Sequence, residues 1–581
     1  MSQTFVTRFI SLLEDRKTEE IVELFAAENN ELIEDALSEI VRIASEYLTE
    51  FNAQSEQELF ECCKAVLNTI AEAYNPMETV LEFLQYIECL DNDVKFCALL
   101  EPLGICMMKG KNKTNVIEWS VSTIKSYIED LPIPSEVDQE ATSCRIINVL
   151  ETITLFLGPL VEEAADMNSK LEETCLFGDH LLSLTITLCG KPFCYLSRSV
   201  VETVMYKKLL EKIMTLALNL TGDILYYLNI VSNCSRNITH DRVQSEYSED
   251  NIRSVLFELS DNMSDLAYAN FYFHIITEEI FWKSVPQVYS SHYILETCLY
   301  LFKVLFNKKQ EILISNGLIF MENVIKRIYP RSVSSDVLGL RIYKDLFQLI
   351  IRIMIYCDID TNRKKARCVF QEYIKIFDIE ARYSVISHLY EINEHSGVLS
   401  LITGMFKASI IECLDSTPRN PHFFGKNMKI MLKKICNLPH GSSSDLVEIS
   451  DEVITALNLL RFLFIRDKRN ETGIWNMRDT IQSDYLKPLR DGIDLCKTHW
   501  RVKAKDLERQ RKGYSTGEIE KVNAMVTLTV GGKQLPVMPI AEKIAFCNQA
   551  INGLDVMESI LIRVNECVSE YGIEQASECT T

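Results

Sequence analysis

Few places in the chain bring side chains of the right type to the spacing that chemistry needs. His388 and His395 are the most suggestive histidine pair, seven residues apart with Asn393 and Glu394 between them. On a continuous helix that spacing is about two turns of 5.4 Å, too far for one zinc ion, so no metal site is expected there. Glu162-Glu163, Glu172-Glu173 and Glu278-Glu279 are adjacent carboxylates. Adjacent helix positions do not face each other, whereas general acid–base work needs two groups converging on one cleft. A solvated acidic face is the expectation for each. Cys62-Cys63 could form a redox pair, but inside a helical pattern the two thiols are expected to divide between core and flank. The sequence contains no Gly-x-Gly-x-x-Gly after a strand, no Gly-x-x-x-x-Gly-Lys-Ser/Thr, no His-Glu-x-x-His and no Gly-x-Ser-x-Gly. Each absence removes a common enzyme class. Nothing calls for a cofactor, and the chain is expected not to be an enzyme.

Surface recognition is the chemistry that remains, and its residues concentrate between Ile465 and Trp500, where one polar loop and its flanking helices hold seven Lys or Arg side chains. Trp475 follows Thr472-Gly473 at the expected start of a helix, with Thr472 available as an N-cap. Two roles compete for Trp475: a buried strut that pins the loop, or an interface anchor of the kind in which Trp and Arg are enriched. In Tyr485-Leu486-Lys487-Pro488-Leu489-Arg490 the proline suits a helix start, where its missing N–H costs little. Lys487 and Arg490 then fall three apart and share a face.

Long helices must position these residues. The chain has 581 residues and 47% apolar content, with only 20 glycines and 14 prolines. Glycine and proline therefore stand at about half their usual shares of roughly 7% and 5%, which leaves little material for the turns of a β-rich fold. Apolar residues recur every three or four positions, as in Ile33, Ala36, Leu37, Ile40, Val41, Ala44 and Leu48. The same period predicts helices at 57–74, 77–90, 114–130, 144–166, 197–218, 251–280, 288–306, 309–328, 333–356, 362–377, 379–394, 397–414, 446–466, 485–511 and 540–570. Two helices with their turns occupy about 40 residues, the size of a HEAT or armadillo repeat. The expected fold is an all-α, HEAT/armadillo-like helical repeat stack, with unrelated helical bundles as the alternative. One alternating segment, Met525 to Pro536 with Gly531-Gly532 at its turn, predicts a small β-hairpin. Residues 232–250 read as a loop, 416–425 as a boundary, and the tail from 572 as disordered. The expected divisions are acidic N-terminal repeats over 1–231, middle repeats over 251–415 and a C-terminal partner-binding unit over 420–571.

Charge is unevenly spread along a chain of net −22: residues 1–100 hold 21 acidic and 6 basic side chains, whereas 420–512 hold 18 basic and 12 acidic. The acidic end repels nucleic acid. On the basic end a solvated face of mixed charge is preferred to a nucleic-acid site. The 19 cysteines are scattered with no Cys-x-x-Cys, as expected of buried free thiols in a reducing compartment. The start of the sequence lacks a signal-type apolar core, and no run of about 18 uninterrupted apolar residues occurs. A cytoplasmic protein, with a nuclear pool also open, is the expectation, with no membrane partner.

The C-terminal third resembles the glomulin family. The resemblance is carried by Leu438-Pro439-His440-Gly441, the run Ser450 to Leu463, Thr472-Gly473-Ile474-Trp475, Tyr485-Leu486-Lys487-Pro488-Leu489, the run Val526 to Pro539, and Leu554 to Glu566. It covers residues 437–568 in detail. It implies a HEAT-like protein that binds the RING subunit of cullin-RING ubiquitin ligases and masks the docking face of the ubiquitin-conjugating enzyme without catalysing anything. Immunophilin binding is a further partner it implies. The sequence departs from the family pattern at Gly532-Lys533-Gln534 and Pro539-Ile540-Ala541-Glu542. The contact residues expected from the matching blocks are Trp475, Leu486, Lys487, Arg490, Met538, Arg563 and Glu566. The rival reading is a general scaffold whose acidic N-terminal stack binds a basic partner.

Overall fold

The computed structural model describes residues 2–26, 33–87, 93–109, 113–135, 137–169, 175–225, 264–416, 421–511, 529–530, 533–534 and 539–578. They are nearly all helical. The chain divides into two compact units, Met1–Ile328 with Asp345–Phe370, and Tyr329–Lys344 with Gln371–Thr581. Thr529–Val530 and Lys533–Gln534 pair antiparallel, while the rest of the segment 525–536 lies outside the described residues, as do the loop 232–250 and residues 417–420 of the boundary at 416–425.

Helix Ser450–Arg466 shows why these sequences fold as they do. Val453, Ala456, Leu457, Leu460, Leu463 and Phe464 are buried at the helical period, Asp451 and Glu452 occupy the first turn, and Arg466 the last, where they complement the helix dipole. Side-chain caps start several other helices: Thr203 accepts from Tyr206 N, Ser290 from Tyr293 N and Asp378 from Ala381 N.

Three expectations about the helices change in the structure. The predicted helix 333–356 begins only at Arg341, because Val333 is drawn into extended pairing, donating to Ile376 O at 3.0 Å and accepting from Asp378 N at 2.8 Å, and Ser334 then caps a 3-10 turn. The last helix runs to Glu578 rather than ending near 571, since Glu, Gln and Ala in that stretch are helix formers with no proline to stop them. Cys62 and Cys63 do not divide between core and flank: both are buried, and Cys62 Sγ lies 3.6 Å from Thr18 O, so their helix is covered on that side as well. Helices Gln139–Asp166 and Ser396–Asp415 are long and apolar enough to cross a membrane by length and composition. Each packs inside its own unit, the first against Val204–Leu220 and the second against Ser450–Arg466.

In the second unit, helix Lys487–Arg511 lies along Ile540–Glu578, which also packs on Ser450–Arg466. Gly492 lets the first of these approach the segment 441–446, because a Cβ there would sit 3.0 Å from Ser442 O.

Candidate partner-binding surface

The loop before helix Lys487–Arg511 is fixed by one buried carboxylate. Asp467 accepts hydrogen bonds from Glu471 N at 2.8 Å, Thr472 N at 2.7 Å and Thr472 Oγ1 at 2.5 Å. Trp475 closes the same loop: its Nε1 donates to Asp467 O at 2.8 Å, its backbone N donates to Asn470 Oδ1 at 3.0 Å, and its ring lies 4.9 Å from that of Phe464. Trp475 is half-buried, and its indole N–H is spent inside the protein, which is the strut role. Gly473 sits at φ +83, with only ordinary contacts around a built Cβ. Gly473→Ala should therefore cost about 1–2 kcal/mol through backbone strain alone, read as a lower urea midpoint with an unchanged slope; no shift would contradict the left-handed geometry.

Leu486 is not a surface residue. It is 1% exposed and closes a π-helical turn, Gln482–Leu486. The extra residue of that turn rotates the chain by about 100° and buries the adjacent Tyr485 and Leu486 together, which a 3.6-residue period does not foresee. Lys487 and Arg490 are both exposed. Met538 lies outside the described residues. Arg563 and Glu566 are exposed on Ile540–Glu578 and, with Arg461, Asp555 and Glu558, line a polar cleft of about 650 Å3.

Two contacts place these groups relative to one another. Lys497 Nζ, its side chain buried, lies 2.6 Å from both Asp555 Oδ1 and Glu558 Oε2, and Trp500 meets Phe546 at 5.6 Å. The two helices are therefore antiparallel. Stepping back from 497 to 490 and forward from 558 to 563 each covers roughly 7–11 Å at 1.5 Å per residue. Lys487, Arg490, Arg563 and Glu566 thus share one end of the helix pair. Burial disfavours the Lys497 ammonium, but its two carboxylates outweigh that and raise its pKa above the ordinary lysine value. Asp555 and Glu558 are thereby engaged by Lys497, and Arg461 and Arg563 are the basic residues of the cleft's lining.

Sequence reasoning missed helix Lys426–Ile435. It buries Met428, Met431, Leu432 and Ile435 and exposes Lys426, Lys429 and Lys433, three and four apart on one face. Gly425 N, just before it, donates to Thr472 O at 3.0 Å, which ties this lysine face to the loop carrying exposed Lys468 and Arg469. Its period, Met428, Met431, Leu432 and Ile435, was readable in the sequence.

Burial pushes the thiols of Cys63, Cys106 and Cys436 up to about 12, so they are not thiolate nucleophiles at neutral pH. Among the described residues no three His, Cys, Asp or Glu side chains converge as a metal site. His388 and His395 belong to no common helix, since Ile379–Ile392 ends between them.

Comparison with known proteins matches residues 12–555 to the family described as "Uncharacterised protein family, YAP/Alf4/glomulin". Glomulin of Homo sapiens is 26% identical over 518 residues, covering 87% of this chain and 83% of its own length. Glomulin of Mus musculus is 25% identical over 534 residues, covering 88% and 85%.

Proposed function

Since the chain belongs to the YAP/Alf4/glomulin family, we propose that it is a non-enzymatic inhibitor of cullin-RING ubiquitin ligases, whose HEAT-like C-terminal unit binds the RING subunit and masks the face where the ubiquitin-conjugating enzyme docks. The observation that carries this reading is the end of the antiparallel helix pair. Exposed Lys487 and Arg490 lie there with a cleft lined by Arg461, Arg563 and Glu566, within the stretch whose motifs resemble glomulin. Arginine-rich rims around an apolar core are common in protein interfaces, and a standard interface needs about 800 Å2 on each side. A preformed helical surface supplies that area with little ordering on binding. Competition with the conjugating enzyme follows from overlap alone, in the cytoplasm or the nucleus and with no cofactor. An immunophilin remains a further partner of the reading.

The test is reconstituted ubiquitin transfer by a cullin-RING ligase, titrating the full-length protein at several concentrations of conjugating enzyme. Inhibition relieved by excess conjugating enzyme is the expected result. Lys487→Glu with Arg490→Glu should weaken RING binding at least tenfold, about 1.4 kcal/mol. Unchanged affinity in that variant, or no binding of the isolated RING subunit, would remove the proposal. The rival is a general scaffold or adaptor binding a basic partner through the acidic N-terminal stack over 1–231, whose first hundred residues hold 21 acidic side chains. That reading requires affinity to survive the double charge reversal.

A further inference from the structure

The other end of the same helix pair forms a second surface. Trp500, Val502, Leu507, Phe546 and Cys547 line a groove of about 690 Å3 between Lys487–Arg511 and Ile540–Glu578, within the roughly 300–1,000 Å3 range of binding pockets. Its apolar wall is open to solvent: Val502 is 54% exposed and Phe546 47%. Lys503, Lys543 and Asp506 are the charged residues of its lining; Asp506 is paired with Arg509 at 3.5 Å, and Lys503 Nζ lies 4.7 Å from the Trp500 ring centre. Residues 498–511 carry Arg501, Lys503, Lys505, Arg509 and Arg511 against Asp506 and Glu508. A basic-rimmed apolar groove on a chain of net charge −22 is a local reversal of the protein's field, and it selects an acidic partner carrying an apolar anchor.

We propose that this groove docks an acidic amphipathic segment of a partner protein, seating an aromatic or large aliphatic side chain against Val502 and Phe546 and carboxylates against Lys503 and Lys543. The mode is a helix or short peptide laid in a groove. Single-stranded nucleic acid fits less well, because Trp500 and Phe546 meet edge to face, with 72° between their planes, and offer no parallel platform for successive bases. The site goes beyond RING masking: Trp500 is ten residues from Arg490 along one helix, about 15 Å.

The test uses the full-length protein and fluorescence anisotropy with three labelled probes. These are a short amphipathic peptide with Phe and Leu four positions apart and Glu elsewhere, the same peptide with Lys for Glu, and an oligouridine. The acidic peptide should bind at least tenfold more tightly than its lysine counterpart. Lys503→Glu with Lys543→Glu should reverse that preference, and Phe546→Ala should weaken both peptides. The substituted side chains are exposed or half-exposed, and an unchanged thermal transition confirms that each variant is folded. Failure of the acidic peptide to bind, a preference unaltered by the charge reversal, or tighter binding of oligouridine would overturn the proposal. Lys487 and Arg490 are untouched in these variants, so inhibition of ubiquitin transfer tests the other reading separately.

Discussion

Replacing Glu412 with alanine should destabilise the second unit by about 3–5 kcal/mol, the penalty for leaving one partner of a buried ion pair alone. Arg382 is the partner left behind. Its side chain is 6% exposed, and its Nη1 lies 2.7 Å from Glu412 Oε2. Nη2 donates to Lys375 O at 3.1 Å and Phe377 O at 3.3 Å, which holds the guanidinium in place. Arg331 also pairs with Glu412, but from an exposed position, so Arg331→Ala should cost no more than about 1 kcal/mol. Urea unfolding followed by tryptophan fluorescence separates the two variants, since Trp475 and Trp500 lie in this unit. Equal small losses from both would show that Glu412 is not needed to balance Arg382.

The second large effect is a loss of stability in acid through His274. This ring is fully buried, and burial lowers its pKa from 6.5 to about 3. Nε2 faces Tyr206 Oη at 3.3 Å and Asn270 Nδ2 at 3.4 Å, neither of which is an anion that would favour the imidazolium. The sign follows from proton uptake. Below pH 6.5 the unfolded chain binds a proton that the folded chain refuses, so stability is intact above that pH and falls by about 1.4 kcal/mol per pH unit towards pH 3. His180 is shifted in the same direction, chiefly by burial, and adds to the slope. Wild type should lose about 2–3 kcal/mol from His274 between pH 6.5 and 4.5. His274→Gln should have a slope shallower by about one proton. Parallel pH profiles of the two proteins would show that His274 is not the group responsible.

Much of this was legible in the sequence. Ile40, Val41 and Ala44 are buried at the spacing their period predicts, and Lys487 with Arg490 emerged on an exposed face. What failed to be legible depended on partners distant in the chain or on irregular backbone. Lys497 reads as a solvated lysine, and only the fold brings Asp555 and Glu558 to it. Leu486 reads as a surface contact residue until a π-helical turn rotates it inward. Val333 reads as helix until Ile376 and Asp378 capture its backbone. Trp475 shows the intermediate case: its sequence neighbours allowed either role, and the carbonyl of Asp467, eight residues earlier, decided for the strut.

The loop closed by Asp467 also changes what association demands. The Glu471 and Thr472 amides and the Thr472 hydroxyl are already satisfied before any partner arrives, and the link through Gly425 N holds the lysine-bearing helix in the same frame. The conformational entropy lost in ordering this stretch belongs to folding and not to complex formation. A partner meeting Lys426, Lys468 and Arg469 therefore orders their flexible side chains but no backbone, and the cost of association is reduced to that ordering, desolvation and the rigid-body freedom every complex gives up.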